Sequence, residues 1–503
     1  MNAKKLLIPL ILLGFKALSQ SGYDIKITVK DSKDTVGYLA RYVWDQNAVA
    51  DTCKKVKNGV YLFKGKKDLD KGVYFLVSQD KVKLFDFFIN EDSKFSLSTD
   101  IADVDKFMKV TGSKENETFV NYKSFMIGKN VEFVNTRDKT KGMNKTDSAK
   151  FMNDAVKKLN EDVVKFNSDF TEKTKGTFFG DFLNLKQDKL PKELPKASNG
   201  RPDSVYQYYY IKAHYFDGIN FKDDRLVRTP FFHERITSYF DRMVFPHPDS
   251  IIVEIDKVMD QCIPNSDMSN TLLSYFTPHY ESSKIVGFDK IFVHIIEKYI
   301  ATGKAKFYGE KTIEKIVERG KILKPLLLGN KAPDLFMIDT VNAKAVNKMG
   351  YDTAKTQEGL TKLYQTNMNK LAQLYTTVYN TQAKYTVLVF WDVDCGHCKT
   401  EIPKLNETYK ELKKKYDVKI IAVYTKHEYD KWRKYIIENK LEFINVWDPM
   451  HINNISDKYD IFSTPVIYVL DKDKIIISKK LSEEQIPDVL KVQEAIEKEK
   501  QKK

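Results

Sequence analysis

The strongest constraint on the fold lies near the C-terminus. There an apolar, β-branched run, Tyr385–Phe390, leads into Trp391-Asp392-Val393-Asp394 and then Cys395-Gly396-His397-Cys398-Lys399-Thr400-Glu401-Ile402-Pro403. The run predicts a buried strand, and the segment Cys398–Tyr416 after it predicts a helix. A C-x-x-C in the first turn puts both sulfurs on one helix face, close enough to bond. Cys395 falls at the helix N-terminus, where unpaired backbone N–H groups and the positive end of the dipole stabilise a thiolate. The thiolate is the attacking species in disulfide exchange, so this position lowers the pKa of Cys395. Cys398, one turn deeper, is suited to resolve a mixed disulfide. His397 is a cation-capable neighbour that favours the reduced state and so makes the disulfide a better oxidant. Asp394 works against it with a negative charge beside Cys395. Glu401, three residues after Cys398, reads either as a carboxylate that exchanges the deeper thiol's proton or as a surface glutamate. Pro403 is expected to bend the helix.

A second signal follows about seventy residues on, at Ser463-Thr464-Pro465-Val466, after a helix and at the start of a strand. An ordinary trans proline is tolerated at a strand's first residue. Paired with the C-x-x-C, Pro465 is instead expected to be cis and to expose the Thr464 backbone to a substrate's extended chain. Between the two signals the chain alternates, with a strand at Lys419–Tyr424 and a helix at Glu428–Asn439. Val466–Leu470 and Lys474–Ser478 read as a hairpin, and Ser482-Glu483-Glu484-Gln485 as a capping box opening the last helix. The pattern is that of an α/β unit with an antiparallel end.

These residues together resemble the thioredoxin superfamily, and look most like the TlpA/ResA-type thiol–disulfide oxidoreductases of bacterial envelopes. The resemblance covers residues 326–500 and rests on Ala332-Pro333-Asp334, Phe390-Trp391, Cys395–Cys398, Glu401-Ile402-Pro403 and Thr464-Pro465. It implies a redox disulfide between Cys395 and Cys398, a cis proline at Pro465 and an acid at Glu401. It also implies protein disulfide or dithiol substrates, an envelope redox donor and no dissociable cofactor. The chain departs from the family in three ways. Asp394 stands where a tryptophan is common, with Trp391 upstream. Gly396-His397 is similar to the pair in protein disulfide isomerase, which leaves the direction of electron flow open. The 341–383 segment is longer than usual and reads as a helical insertion, with a helix over 353–380. The order of domains is also similar to Bacteroidota envelope proteins that place a β-rich and a helical domain before a thioredoxin-like one.

The start of the chain bears on compartment. Lys4 and Lys5 precede the apolar run Leu6–Phe15, and Ala17-Leu18-Ser19 resembles a cleavage site with Gln20 as the new first residue. This describes a secretory signal peptide over 1–19. The apolar run is too short to cross a bilayer of about 30 Å, and no later stretch reaches eighteen uncharged apolar residues. The mature chain is therefore expected in the periplasm or cell envelope and not as a transmembrane protein. An exported chain can hold disulfides, yet there are only four cysteines, and Cys53 and Cys262 read as isolated.

Residues 20–112 read as a β-sandwich, from runs such as Ile25–Val29, Gly59–Phe63, Val73–Val77, Lys83–Ile89 and Lys94–Leu97, with a turn at Asn58-Gly59. Residues 113–325 read as a mostly α-helical domain, with Ile285–Ile300 its clearest helix. Its aromatic-rich stretch Tyr206–Phe245 reads as core packing, with a peptide-binding groove as the alternative. Residues 326–503 read as the thioredoxin-like domain. The net charge of +14 comes mostly from scattered lysines, which describes a solvated surface rather than a nucleic-acid site. A zinc site lacks a second C-x-x-C, covalent haem would need histidine at position 399, and no phosphate loop is present. Three readings of function remain. The first is a thiol–disulfide oxidoreductase acting through Cys395, Cys398 and Glu401, with His397, Trp391, Thr464 and Pro465 in support. The second is an oxidase or isomerase using the same residues. The third is an envelope binding protein whose C-x-x-C is a static clasp, with peptide or protein bound by the N-terminal domains.

Overall fold

A computed structural model of the chain describes residues 22–351, 354 and 356–502. The 1–19 segment read as a signal peptide lies outside the described residues, as do residues 352, 353 and 355 of the 341–383 insertion. The chain forms two compact units. One runs to Phe245 and takes in Asp260–Thr271; the other comprises Pro246–Met259 and the chain from Leu272 onward. The span 113–325 is thus shared between them.

The first unit opens with β1 (Tyr23–Lys30), β2 (Gly37–Val43), β3 (Gln46–Cys53), β4 (Val60–Gly65), β5 (Gly72–Val77), β6 (Lys83–Ile89), β7 (Lys94–Asp100) and β8 (Lys109–Thr111). They form two four-stranded sheets, ordered β4-β1-β7-β8 and β3-β2-β5-β6. In β1 the residues Ile25, Ile27 and Val29 are buried while Lys26 and Lys30 are exposed. That period of two turns one face of the sheet inward, onto Tyr61, Phe63, Leu76 and Phe87. The turn into β4 uses Asn58 and Gly59 at φ +53° and +69°. A Cβ on Gly59 would meet the Val29 carbonyl oxygen at 2.0 Å, so only glycine fits. Helices α1 (Lys114–Lys139), α2 (Lys145–Lys173), α3 (Phe178–Asn184), α4 (Ser204–Ala213) and α5 (Phe232–Ser238) follow. Phe119, Phe178, Phe179 and Phe182 surround Phe88 edge-on, with centroids 5.0–5.6 Å away.

The second unit holds α6 (Pro248–Met259), most of α7 (Asp267–Glu281), α8 (Asp289–Ile295) and α9 (Glu310–Leu323), followed by a seven-stranded sheet. The strands are β9 (Phe336–Asp339), β10 (Tyr375–Thr377), β11 (Tyr385–Trp391), β12 (Val418–Tyr424), β13 (Ile444–Trp447), β14 (Val466–Leu470) and β15 (Ile476–Lys479), in the order β10-β9-β13-β12-β11-β14-β15. Around them lie α10 (Ala343–Asn347), α11 (Gln357–Leu371), α12 (Gly396–Lys415), α13 (Tyr429–Glu438), α14 (Ile455–Lys458) and α15 (Ile486–Gln501). β11 runs parallel to β12 and antiparallel to β14, and all seven of its residues are buried. Val387, Val389 and Trp391 enter one core with Ile402, Leu405 and Leu412 of α12, while Leu388 and Phe390 enter the opposite core with Leu326, Leu335 and Tyr459. Alternation across a doubly covered strand is what an unbroken apolar run specifies.

The sandwich, helical and α/β regions follow the order expected from sequence, with local corrections. The helix expected over Ile285–Ile300 begins at Asp289, because Gly287 at φ +90° interrupts it and leaves Ile285 exposed. The helix expected over 353–380 ends at Leu371, and Tyr375–Thr377 pairs with β9 as an edge strand. Strands β2, β3, β8 and β13 were not anticipated. In the aromatic-rich stretch Phe221, Phe232, Tyr239 and Phe240 are core residues, but Tyr206, Tyr208 and Tyr209 are exposed on α4, against the packing reading. Among the described residues no helix is long and apolar enough to cross a membrane.

Candidate active site

The parallel and antiparallel neighbours of β11 assemble the site. Phe390, one residue before its end, lies opposite Val466, the first residue of β14. The chain leaving β11 therefore turns into α12 beside the chain entering β14. This brings Cys395 to Thr464 across 69 residues, with its Sγ 3.1 Å from the Thr464 carbonyl oxygen. The Thr464–Pro465 peptide is cis.

Cys395 is the N-cap of α12, and its sulfur accepts the Cys398 backbone N–H at 3.3 Å. Both cysteines are free thiols; Cys395 is half-buried and Cys398 fully buried. Burial pushes the Cys395 thiol up, but hydrogen bonding from the Thr464 side chain, from the Cys398 backbone and thiol and from the His397 backbone outweighs it, so its pKa lies below the ordinary value. Burial pushes Cys398 up to about 12, reinforced by the Cys395 sulfur and opposed by hydrogen bonds from Thr464 and the Asp392 backbone. One sulfur is thus prepared to ionise and the other to keep its proton, as a nucleophile and a resolving thiol require.

His397 is exposed and contributes its backbone N–H to Cys395. Asp394 is also exposed, and Lys431 of α13 pairs with it at 2.8 Å, so the charge that opposes thiolate formation has its own counter-ion. Glu401 is half-buried. Its carboxyl is raised first by burial and then by Glu483, against the pull of His397 and Lys404. A raised carboxyl holds a proton more readily. Trp391 is fully buried and packs on Tyr435 at 5.1 Å and Tyr424 at 5.9 Å. Pro403 lies inside α12.

Sequence reasoning missed Lys431 and Tyr435, both on α13. Tyr435 is raised by burial and then by Cys398, which marks it as a neighbour of the deep sulfur. Only the packing of α13 beside α12 reveals either residue, since neither belongs to a local motif.

The AhpC/TSA family model matches residues 364–479, a span that contains Trp391, both cysteines and Thr464-Pro465. The C-terminal domain is thioredoxin-like. Two families, each described as a domain of unknown function, match upstream of it: DUF4369 over residues 23–119 and DUF5106 over residues 144–321. A thioredoxin-like protein of Haemophilus influenzae is 33% identical over 94 residues, which cover 19% of this chain and 53% of that protein. The chain therefore spans about half the length of the curated relative it matches. Among solved structures, a domain of a possible thiol-disulfide isomerase from Cytophaga hutchinsonii is 34% identical, covering 35% of this chain and 97% of that one, with a TM-score of 0.27. A thioredoxin-like protein from Bacteroides caccae is 17% identical, covering 60% of this chain and 99% of that one, with a TM-score of 0.42. The resemblance drawn from Cys395–Cys398 and Thr464-Pro465 and the family match thus fall on the same thioredoxin-like domain.

Proposed function

We propose that the chain is an exported thiol–disulfide oxidoreductase that exchanges disulfides with envelope proteins through Cys395 and Cys398. The observation that carries this reading is the opposed preparation of the two sulfurs: Cys395 lowered at a helix N-terminus, Cys398 buried and raised, and Thr464 against both. The Cys395 thiolate attacks one sulfur of a partner disulfide. A mixed disulfide forms and the partner's other sulfur leaves as a thiolate that takes up a proton from water. Cys398 then loses its proton, to the Glu401 carboxylate in this reading, and attacks the Cys395 sulfur. The second partner thiolate departs, the partner has gained two electrons, and Cys395–Cys398 is left as a disulfide. A dithiol donor of the envelope resets it. With the partner's roles reversed the same residues oxidise a dithiol.

Reduction of a protein disulfide such as that of insulin tests the proposal. Cys395→Ser should fall to the uncatalysed rate, and Cys398→Ser should accumulate mixed disulfides with its substrates. Activity that survives in Cys395→Ser, or an empty trap, rejects it and leaves the static-clasp reading. The oxidase or isomerase reading is favoured by the hydrogen bonds onto Cys395, which stabilise the reduced form and make the disulfide more oxidising. Equilibration with glutathione distinguishes the two directions. Export is part of the proposal, and a mature chain beginning at Gln20, read by N-terminal sequencing, is its expected mark. The N-terminal unit is proposed to bind peptide or protein; its 630 Å³ cavity lined by Tyr208, Tyr215, Phe231, Arg235 and Arg242 supports this.

A further inference from the structure

Phe462 is 80% exposed, a phenylalanine left in water three residues before Pro465. The ring is held in place. The Arg319 guanidinium of α9 lies over it, 4.9 Å from the centroid. The same guanidinium binds the Asp460 carboxylate, whose side chain is 1% exposed and whose other oxygen accepts from Lys480 Nζ at 2.8 Å. Asp460 itself sits at φ +55° at the head of the loop. A buried carboxylate gripped by two cations thus fixes both the start of the loop and the arginine that backs the ring, whose charge is drawn to the ring face.

Position gives the ring its meaning. Phe462 is two residues from Thr464, whose carbonyl oxygen is 3.1 Å from Cys395 Sγ. Two extended residues span at most about 7 Å. A polypeptide whose disulfide reaches Cys395 therefore carries the residues flanking its cysteine within reach of the loop that holds Phe462, while a small polar disulfide need not extend that far. We propose that Phe462, backed by Arg319, is a recognition platform for an apolar side chain about two residues from the reactive cysteine of a polypeptide substrate. This rests on the oxidoreductase reading and names its substrate class. Phe462 is the specificity-determining residue, and Arg319 is a positioning residue that acts through it.

The test uses the full chain with three probes: a disulfide-bridged peptide carrying Leu two residues from its cysteine, the same peptide with Ser there, and 5,5′-dithiobis(2-nitrobenzoate) as a small disulfide. The wild type should favour the Leu peptide by about tenfold in kcat/KM, through KM, as one apolar contact allows. Phe462→Ala should bring the Leu-to-Ser ratio to about one, and Phe462→Tyr should keep it. Arg319→Gln should lose much of the ratio and Arg319→Lys, which retains the ion pair, should keep more of it. A wild type that reduces the small disulfide without distinguishing the peptides overturns the platform and leaves the oxidoreductase reading standing. A wild type that reduces none of the three probes overturns both. An unchanged ratio in Phe462→Ala overturns the platform, as does a wild-type dimer in sedimentation that Phe462→Ala dissolves, since the ring would then serve self-association.

Discussion

At the scale of single residues, the two cysteines differ by environment and not by chemistry. Attack requires the Cys395 thiolate, so its reaction with iodoacetamide should rise with pH and reach half its maximum below the value of about 8.5 usual for a free thiol. Cys398, held near 12 by burial, should stay unmodified across the neutral range, as mass spectrometry of the alkylated peptides would show. Glu401→Gln keeps the size of the side chain and removes its proton exchange. It should leave the Cys395 alkylation profile in place and slow release from the mixed disulfide by about 10²-fold, the lower end of what a positioned acid–base group contributes. Rapid-quench sampling of the mixed disulfide separates the two steps.

At the scale of elements, α12 and β11 were legible because local rules agree there. A seven-residue run buried on both faces, an N-cap and apolar residues at Ile402, Leu405, Tyr409 and Leu412 all specify one arrangement. The site residues on those elements and at Thr464-Pro465 were legible for the same reason. Lys431, Tyr435, Arg319 and Phe462 were not, because each acquires its neighbours from tertiary packing alone. Strands β2 and β3 were hidden by alanine and polar residues with weak alternation, and Gly287 cut a helix whose apolar period continued past it.

Helix α3 carries its own pH dependence. Asp181 is raised to about 6, first by burial and then by Asp223, with Arg225 opposing and Glu115 adding. Its folded pKa lies above the unfolded value near 3.9, so its contribution to stability is complete below pH 4 and is lost as pH rises through 6. The unfolding temperature of the N-terminal unit should fall over that window, and Asp181→Asn should flatten the fall in a calorimetric pH series.

At the scale of the whole molecule, the second unit is closed by a buried charge. Lys479 of β15 is 4% exposed at its side chain and pairs with Asp289, the first residue of α8, while also donating to the Leu326 carbonyl. Lys479→Ala leaves a largely buried carboxylate without its partner, so it should destabilise this unit by about 3–5 kcal/mol in chemical denaturation.

Of the four tryptophans, Trp44 lies in the first unit and Trp391, Trp432 and Trp447 are fully buried in the second, within one hydrophobic core that also contains Cys398. Trp432 and Trp447 lie 5.9 Å apart, and the buried Trp391 and Trp432 indole nitrogens have no hydrogen-bond partner among the described residues. Indoles in such dry surroundings emit at short wavelength, and a nearby disulfide quenches them where a dithiol does not. The chain therefore carries a built-in optical gauge of its own oxidation state. Its emission should dim on closing the Cys395–Cys398 bond and recover on reduction, and Trp391→Phe should blunt that swing.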